Sequence, residues 1–538
     1  MAAARALLLA VLVTAGALSL GGCFGAKDGA GASAAEADAL AGVLLEPRTG
    51  YETCDSPMLA EGDRTRSSEV MVATNPIDHD ELAAVFKVAI PAGEQQTVFD
   101  APMWDALARS TDGGRTWQYR ILHGYPGDPD VHVPSQVLYG SAFLSDPVVA
   151  FASDGTLVFA GLAAKGESIE LFAATFLPGQ MEPASVSSVN RGDLRSIHGL
   201  EDLPPILDQV PTPIAFIFND GPHIGADPVG PGVWLSWGVE TLLDPEAVGP
   251  EESRTTPAVS VSNDGGRTWS PMVFTAEDGR LGDVDGTNWG ASRPLVDADG
   301  RVHMFNRERY SKTIWDWVSE DDGATWKERV AVVSGLENSG GSGGYWRNTN
   351  PDPGVDRSMG TDRGSIYVTW SDTRNGDRDV FVVASRDGGK TWSEPLRVHS
   401  DPVGNGKDQF YPYLTVEPRN GAVDVTFMDR RNDTADETWS VAYLARSTDG
   451  GRTFVDVPLG TEATNVNWVT NGGPEDSAST ALASYGDYHG ITYTSDGVVP
   501  VWQDGRASTA GQGYSDIFLC RVLTPSTSAS AALPEDPA

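Results

Sequence analysis

The sequence predicts an all-β fold, a seven-bladed propeller of four-stranded antiparallel blades, with six blades as the alternative. Three observations predict it. One eight-residue turn motif occurs five times, and its later copies fall about 60 residues apart. The composition, with 60 Gly and 15 Trp in 538 residues, suits many short strands joined by tight turns.

The motif is Ser-x-Asp-x-Gly-x-Thr-Trp/Phe. Its copies are Ser110–Trp117, Ser262–Trp269, Ser319–Trp326, Ser385–Trp392 and Ser447–Phe454, anchored on Asp112, Asp264, Asp321, Asp387 and Asp449. The chemistry is that of a hairpin turn: Asp accepts from backbone N–H groups ahead of it, and Gly supplies the positive φ. Thr and the aromatic ring then open the outgoing strand. These aspartates therefore read as turn staples rather than as acids or metal ligands.

Successive gaps between them are 152, 57, 66 and 62 residues. A period near 60 fits one blade with its loops. The long first gap leaves room for a blade that has lost the motif, and Asp146–Phe159 reads as two of its strands around the turn at Asp154-Gly155. After the last copy come strands over Asp487–Tyr493, Val498–Trp502 and Asp516–Val522. This blade lacks an outer strand, and the segment from Gly42 to Cys54 is predicted to supply it and close the ring.

Four regions follow: residues 1–22 a signal peptide, 23–43 a flexible linker, 44–523 the propeller and 524–538 a low-complexity tail. Arg5 precedes an uncharged apolar run, Ala6–Leu20, too short for a comfortable membrane span and shaped like a signal-peptide core. The residues after it are rich in Gly, Ala, Ser and Asp, as in a tether. The formal charge of −37, from 75 acidic and 38 basic residues, argues against nucleic acid and anionic headgroups as partners. No cofactor and no metal are called for. Asp283 and Asp285, followed by Asn288, lack the full spacing of a calcium loop and read as a turn.

A second motif, aromatic-x-Asp-x-Arg, closes the second strand of three blades: Trp370-Ser-Asp372-Thr-Arg374, Phe427-Met-Asp429-Arg-Arg431 and Trp502-Gln-Asp504-Gly-Arg506. Strand two ends on the rim opposite the turns between strands three and four, so these residues line the other face of the ring. Nearby segments add Arg293, Arg347, Tyr411, Tyr413, Tyr485, Asp487, Tyr488 and His489. Two readings stay open. Each Asp can pair with an Arg of its own or the next blade and stitch the ring, or the arginines can converge on a carboxylate or other anion. His489 reads as a loop histidine in a turn that ends at Gly490.

The five turn motifs resemble the Asp box, or bacterial neuraminidase repeat, of sialidases and of many non-sialidase propellers. Glu69–Pro76, Asp408–Pro412 and Tyr485–Gly490 also look like phrases from sialidase-like exported proteins, so the resemblance spans Ser68 to Val522. It implies either a glycan- or protein-binding scaffold or, as the alternative, an exo-α-sialidase or related glycoside hydrolase. Sialidases hold a sugar carboxylate with three arginines, attack with a Tyr assisted by Glu, and use an Asp as acid/base. Their first arginine lies in an Arg-Ile-Pro motif ahead of the first box. This chain has no such motif, and Arg120-Ile121-Leu122 follows the first box. No catalytic residue is carried over.

Leu20-Gly21-Gly22-Cys23 resembles a bacterial lipobox, which implies cleavage before Cys23, lipidation there, and a membrane-anchored extracytoplasmic protein at the cell surface or in the periplasm. The expected partners are the membrane, through that lipid, and a glycan or envelope protein, with the propeller monomeric. Cys54 and Cys520 then remain as a disulfide pair or as two buried thiols.

Overall fold

The computed structural model describes residues 51–58, 67–89, 103–130, 133–165, 168–189, 214–243, 254–275, 293–308, 312–326, 328–337, 350–433, 439–460, 462–465, 488–506 and 516–524. The predicted signal peptide, linker and tail, Cys23, Arg347, Tyr485, Asp487 and the Asp283–Asn288 turn lie outside them.

Seven four-stranded antiparallel sheets form the blades, as the sequence predicts. Blade I is β2 (Ser67–Asn75), β3 (Asp78–Ala89), β4 (Met103–Ser110) and β5 (Gln118–Ile121). Blade II is β6 (Phe143–Phe151), β7 (Leu157–Lys165), β8 (Ser168–Phe176) and β9 (Ser185–Ser188). Blade III is β10 (Ile214–Ala226), β11 (Val233–Leu243), β12 (Arg254–Ser262) and β13 (Val273–Phe274). Blade IV is β14 (Leu295–Val296), β15 (Val302–Glu308), β16 (Thr313–Ser319) and β17 (Glu328–Ser334). Blade V is β18 (Asp352–Val355), β19 (Ile366–Asp372), β20 (Asp379–Ser385) and β21 (Leu396–Arg397). Blade VI is β22 (Gln409–Val416), β23 (Val423–Asp429), β24 (Trp439–Ser447) and β25 (Val455–Pro458), and β26 (Thr464–Asn465) pairs with β24.

Blade VII closes the ring. Its inner strands β27 (Gly490–Tyr493), β28 (Gly497–Asp504) and β29 (Asp516–Leu523) take their outer strand from the other end of the chain, β1 (Tyr51–Pro57). Tyr51 pairs with Val522 and Glu52 with Arg521, and after a bulge Ser56 pairs with Leu519. This is the predicted closure, and it places Cys54 on the strand facing Cys520. The innermost strands touch in sequence around the ring, and β27 meets β2.

The blades are held apart by apolar seams. Trp370, Phe381 and Val383 of blade V pack on Phe305 and Ile314 of blade IV, while Tyr367 and Val382 pack on Leu414 and Phe427 of blade VI. Strands buried on both faces read as near-continuous apolar runs such as Val380–Ala384.

The five Asp boxes sit in the turns between strands three and four and share one geometry. In blade I, Thr116 donates its N–H to Asp112 Oδ1 (2.9 Å) and its hydroxyl to Oδ2 (2.7 Å), while Gly114 N–H donates to Ser110 Oγ (2.9 Å). Trp117 Nε1 closes the turn on Gly114 O at 3.1 Å. The hydroxyl bond recurs at Asp264, Asp321, Asp387 and Asp449. Burial works against the Asp112 carboxylate, but the bonds from Thr116 and Ser110 outweigh it and hold the group below its ordinary range.

Each box also packs on the preceding blade, which sequence alone does not show. A Cβ on Gly389 (φ +84°) would stand 2.6 Å from Asp316 Oδ2 of blade IV, so the turn's glycine serves the seam as well as the dihedral. Arg115 of the first box pairs with Asp496 of blade VII (3.2 Å), and Arg452 of the last pairs with Asp362 of blade V (2.8 Å).

Candidate functional site

On the face opposite the boxes, each Asp-x-Arg motif folds onto itself. The carboxylate ends strand two with its aromatic neighbour on the same side, because alternate residues of a strand share a face. Asp372 accepts Arg374 Nε at 2.9 Å and Trp370 Nε1 at 3.0 Å. Asp429 accepts the Arg431 N–H at 2.7 Å and Arg431 Nε at 2.8 Å. Asp504 accepts Arg506 Nη2 at 2.6 Å and Trp502 Nε1 at 3.0 Å. The guanidinium planes lie over Phe381, Tyr443 and Phe518 of the next strand. Arg431 makes a further ion pair with Asp456 of its own blade (2.7 Å). The stitching occurs largely within blades; Arg431 Nη1 alone among these contacts reaches the preceding blade, at Ser400 Oγ (3.3 Å).

The remaining candidates among the described residues do not form a rim of loops; the structure draws them toward the axis. Arg293 Nη2 donates to Pro353 O (2.5 Å) of blade V and Leu414 O (3.3 Å) of blade VI, beside Asp352. Asp352 in turn accepts Leu414 N–H at 2.8 Å. Tyr488 OH reaches from blade VII across the ring to Pro222 O of blade III (3.2 Å) and stands edge-on to His223. Tyr411 and Tyr413 belong to the innermost strand β22 and are buried.

His489 stands in the loop just before β27, as read from the sequence, but in the interior. It is buried, its ring stacks on Tyr411 at 5.1 Å, and burial pushes it down to about 3 despite Asp504. The reason is that the chain around Gly490 begins an inner strand, where the ring leaves no solvent. His223 is likewise pushed down to about 3, by burial and then by Arg293. Both imidazoles are neutral at pH 7 and supply no charge to a ligand.

The structure adds a backbone feature that sequence reasoning missed. Tyr411 (φ 53°), Glu69 (φ 55°) and Asp146 (φ 55°) are left-handed, each at a register shift of an inner strand, and Gly221 occupies the same kind of place in blade III. Recurrence in four blades marks the bulge as a feature of the fold rather than of one site. The Asp-Pro, Gly-Pro and Tyr-Pro pairs at 146–147, 221–222 and 411–412 were the available signal, since Pro is tolerated in strands at bulges.

At the I–II seam, Lys87 pairs with Glu69 (2.7 Å) and donates to Ser145 (3.2 Å). Asp105, opposite Lys87 on β4, is fully buried, and burial raises its carboxyl well above the usual range despite Lys87. Arg307, Arg378 and Arg430 are buried on the motif face. Burial and the neighbouring Arg378 lower Arg307 to about 10. Arg307 and Arg378 lie outside the repeated motif and Arg430 fills its variable position, which is why the pattern passed them over.

Among the described residues one group has metal-like spacing, Asp379, His399 and Asp401. Its geometry answers to hydrogen bonding instead. His399 Nδ1 faces Asp401, its Nε2 accepts Val380 N–H at 3.1 Å, and Arg397 already places a cation against both carboxylates.

Seven four-stranded blades, five of them with a stapled outer turn, make this chain a seven-bladed β-propeller. Residues 241–425 match the family model described as a BNR repeat-like domain. No curated protein matches the chain. Among solved structures it is similar to a protein of unknown function from Dyadobacter fermentans, with 13% identity, a TM-score of 0.42, and coverage of 88% of this chain and 100% of that one. It is similar also to the Hadza microbial sialidase Hz136 (13%, TM-score 0.43, 88% and 95%). A third is a leech intramolecular trans-sialidase (11%, TM-score 0.40, 87% and 70%).

Proposed function

We propose that this protein is an extracytoplasmic, lipid-anchored binding or scaffold propeller, engaging a glycan or an envelope protein through its Asp-x-Arg face. The observation that carries this reading is the occupation of Arg374, Arg431 and Arg506 by Asp372, Asp429 and Asp504. A guanidinium that already forms a fork with a carboxylate of its own blade stiffens the rim and has few donors left for a substrate carboxylate. The test is release of a fluorogenic sialoside by the purified protein, with a glycan array beside it. No turnover, with or without glycan retention, is expected. Turnover abolished by Arg378→Ala and by Tyr411→Phe would overturn the reading.

A second reading, an exo-α-sialidase or related glycoside hydrolase, draws on the buried cations Arg307, Arg378 and Arg430 on the same face. It predicts turnover in the same assay.

The anchor is part of the proposal. Lipidation at Cys23 follows from the lipobox-like Leu20–Cys23, and intact mass of the membrane fraction tests it. A disulfide between Cys54 and Cys520 is supported by the pairing of β1 with β29 on either side of them. Closing so long a loop stabilises by about 4–5 kcal/mol on the chain-entropy model. Non-reducing peptide mapping that recovers both as free thiols would refute it.

A further inference from the structure

The chain enters and leaves the ring on one face. β29 runs from Asp516, paired with Asp504 at the motif rim, down to Leu523, paired with Gly497 at the far turn. That far turn belongs to the face that carries the Asp boxes, since Arg521 donates to Gly113 O of the first box (2.6 Å) and pairs with Asp496. β1 is antiparallel to β29, so Tyr51, opposite Val522, lies at the Asp-box face, and Pro57, opposite Phe518, lies toward the motif rim. The exit is on the same side: Thr524 N–H donates to Asp496 O at 2.8 Å.

We propose that the anchored protein stands on its bilayer with the Asp-box face toward the lipid and the Asp-x-Arg face turned outward. This rests on the lipidation of Cys23 proposed above. Residues 24–50 separate that cysteine from β1, and a Gly-rich flexible chain of this length has a mean reach of about 30 Å. Blades whose two middle strands mostly run to seven to nine residues are about 23–30 Å thick before their loops are added. A turned-over propeller would stretch the tether to about its mean reach merely to cross that thickness, whereas the proposed orientation leaves the tether relaxed.

The net charge of −37 opposes adhesion to anionic headgroups, so the approach of the Asp-box face to the bilayer is set by the tether. The partner on the Asp-box side is thus a lipid surface at close range, and the outward face is left clear for a soluble or neighbouring-cell ligand. Exposed single side chains mark both faces. Val229 and Met359 project from the tips of the β10–β11 and β18–β19 hairpins on the Asp-box side, and Val403 projects from the β21–β22 loop on the motif side.

The experiment uses the full lipidated chain in vesicles that contain a headgroup-labelled quencher lipid, with one fluorophore per protein at Val229→Cys, Met359→Cys or Val403→Cys. Quenching at the first two positions is expected to exceed that at Val403 by about twofold or more, given a tether no longer than the disc is thick. Equal or reversed quenching, with the lipid mass present on Cys23, overturns the orientation and leaves the anchor standing. Absence of that mass overturns the anchor itself, and the orientation with it.

Discussion

Blade V and blade II fold their outer hairpins in opposite ways. In blade V the turn is stapled by its own residues: Thr391 N–H and hydroxyl on Asp387, and Gly389 N–H on Ser385. Blade II has no box between β8 and β9, and its turn is held from outside. Arg109 of blade I donates to Leu177 O (3.2 Å) and Gln180 O (2.7 Å), while Glu81 accepts Gly179 N–H (3.3 Å) and pairs with Arg109. Beyond the one bond from Gln180 N–H to Leu177 O (3.0 Å), this turn takes its partners from the neighbouring blade, and those partners are buried charges. A lost box is thereby replaced by a dependence between blades.

That contrast can be broken most sharply at Arg109. Arg109→Met leaves Glu81 charged and buried without its cation and takes a donor from two carbonyls of blade II, which should cost about 3–5 kcal/mol and lower the denaturation midpoint accordingly. Adding Glu81→Gln should recover part of the loss. Full stability of the single variant, read from urea melts, would show that blade II does not depend on this grip.

The seat beneath the blade V box gives the next effect. His303 lies between Asp316 (2.9 Å) and Asp297 (3.2 Å) under Gly389. Burial alone would lower the imidazole, but the two carboxylates push it up to about 9. A raised folded-state value contributes stability that is fully present below the unfolded value of about 6.5 and is lost as pH rises through about 9. Melting temperatures should therefore fall between pH 7 and 10 in the native chain, and the His303→Gln variant should show a flatter profile. Coincident profiles would remove the ionic seat from the account.

The inner histidines work in the other direction. His223 and His489, both at about 3, contribute stability above pH 6.5 that declines as pH falls from there toward 3. Replacing His223 with Phe should blunt the acid limb of the same melts.

The smallest effect is expected within a staple. Asp387→Ala removes three hydrogen bonds from one exposed turn, one from a backbone N–H and two from hydroxyls, and should cost about 1–2 kcal/mol. Gln180→Ala, by comparison, should be nearly silent, because blade II uses the Gln180 carbonyl and not its side chain. A Gln180→Ala loss as large as that of Asp387→Ala would erase the distinction between the two kinds of turn.

Much of this was legible in the chain, for reasons that differ from residue to residue. Asp112 and its four repeats could be read as staples because a turn is local: the acceptor and its donors lie within four residues. The seventh blade could be read because a missing outer strand and an unassigned N-terminal segment demand each other. Asp372, Asp429 and Asp504 were visible as a repeat, yet whether their arginines converge or fold back depends on side-chain direction at the end of a strand. Arg307, Arg378 and Asp105 were invisible, being single residues whose meaning comes from neighbours on other blades.

The sequence by itself determined the repeat, its turns and the face on which each motif stands, because strand alternation and turn chemistry act over a few residues, and it narrowed the blades to seven or six. Only the tertiary structure decided which charges meet. It set Arg109 on the turn of blade II, His489 against Tyr411 in a dry interior, and Tyr488 across the axis on Pro222. Those pairings join residues of different blades, up to 266 positions apart, and only closure of the ring brings them within bonding distance.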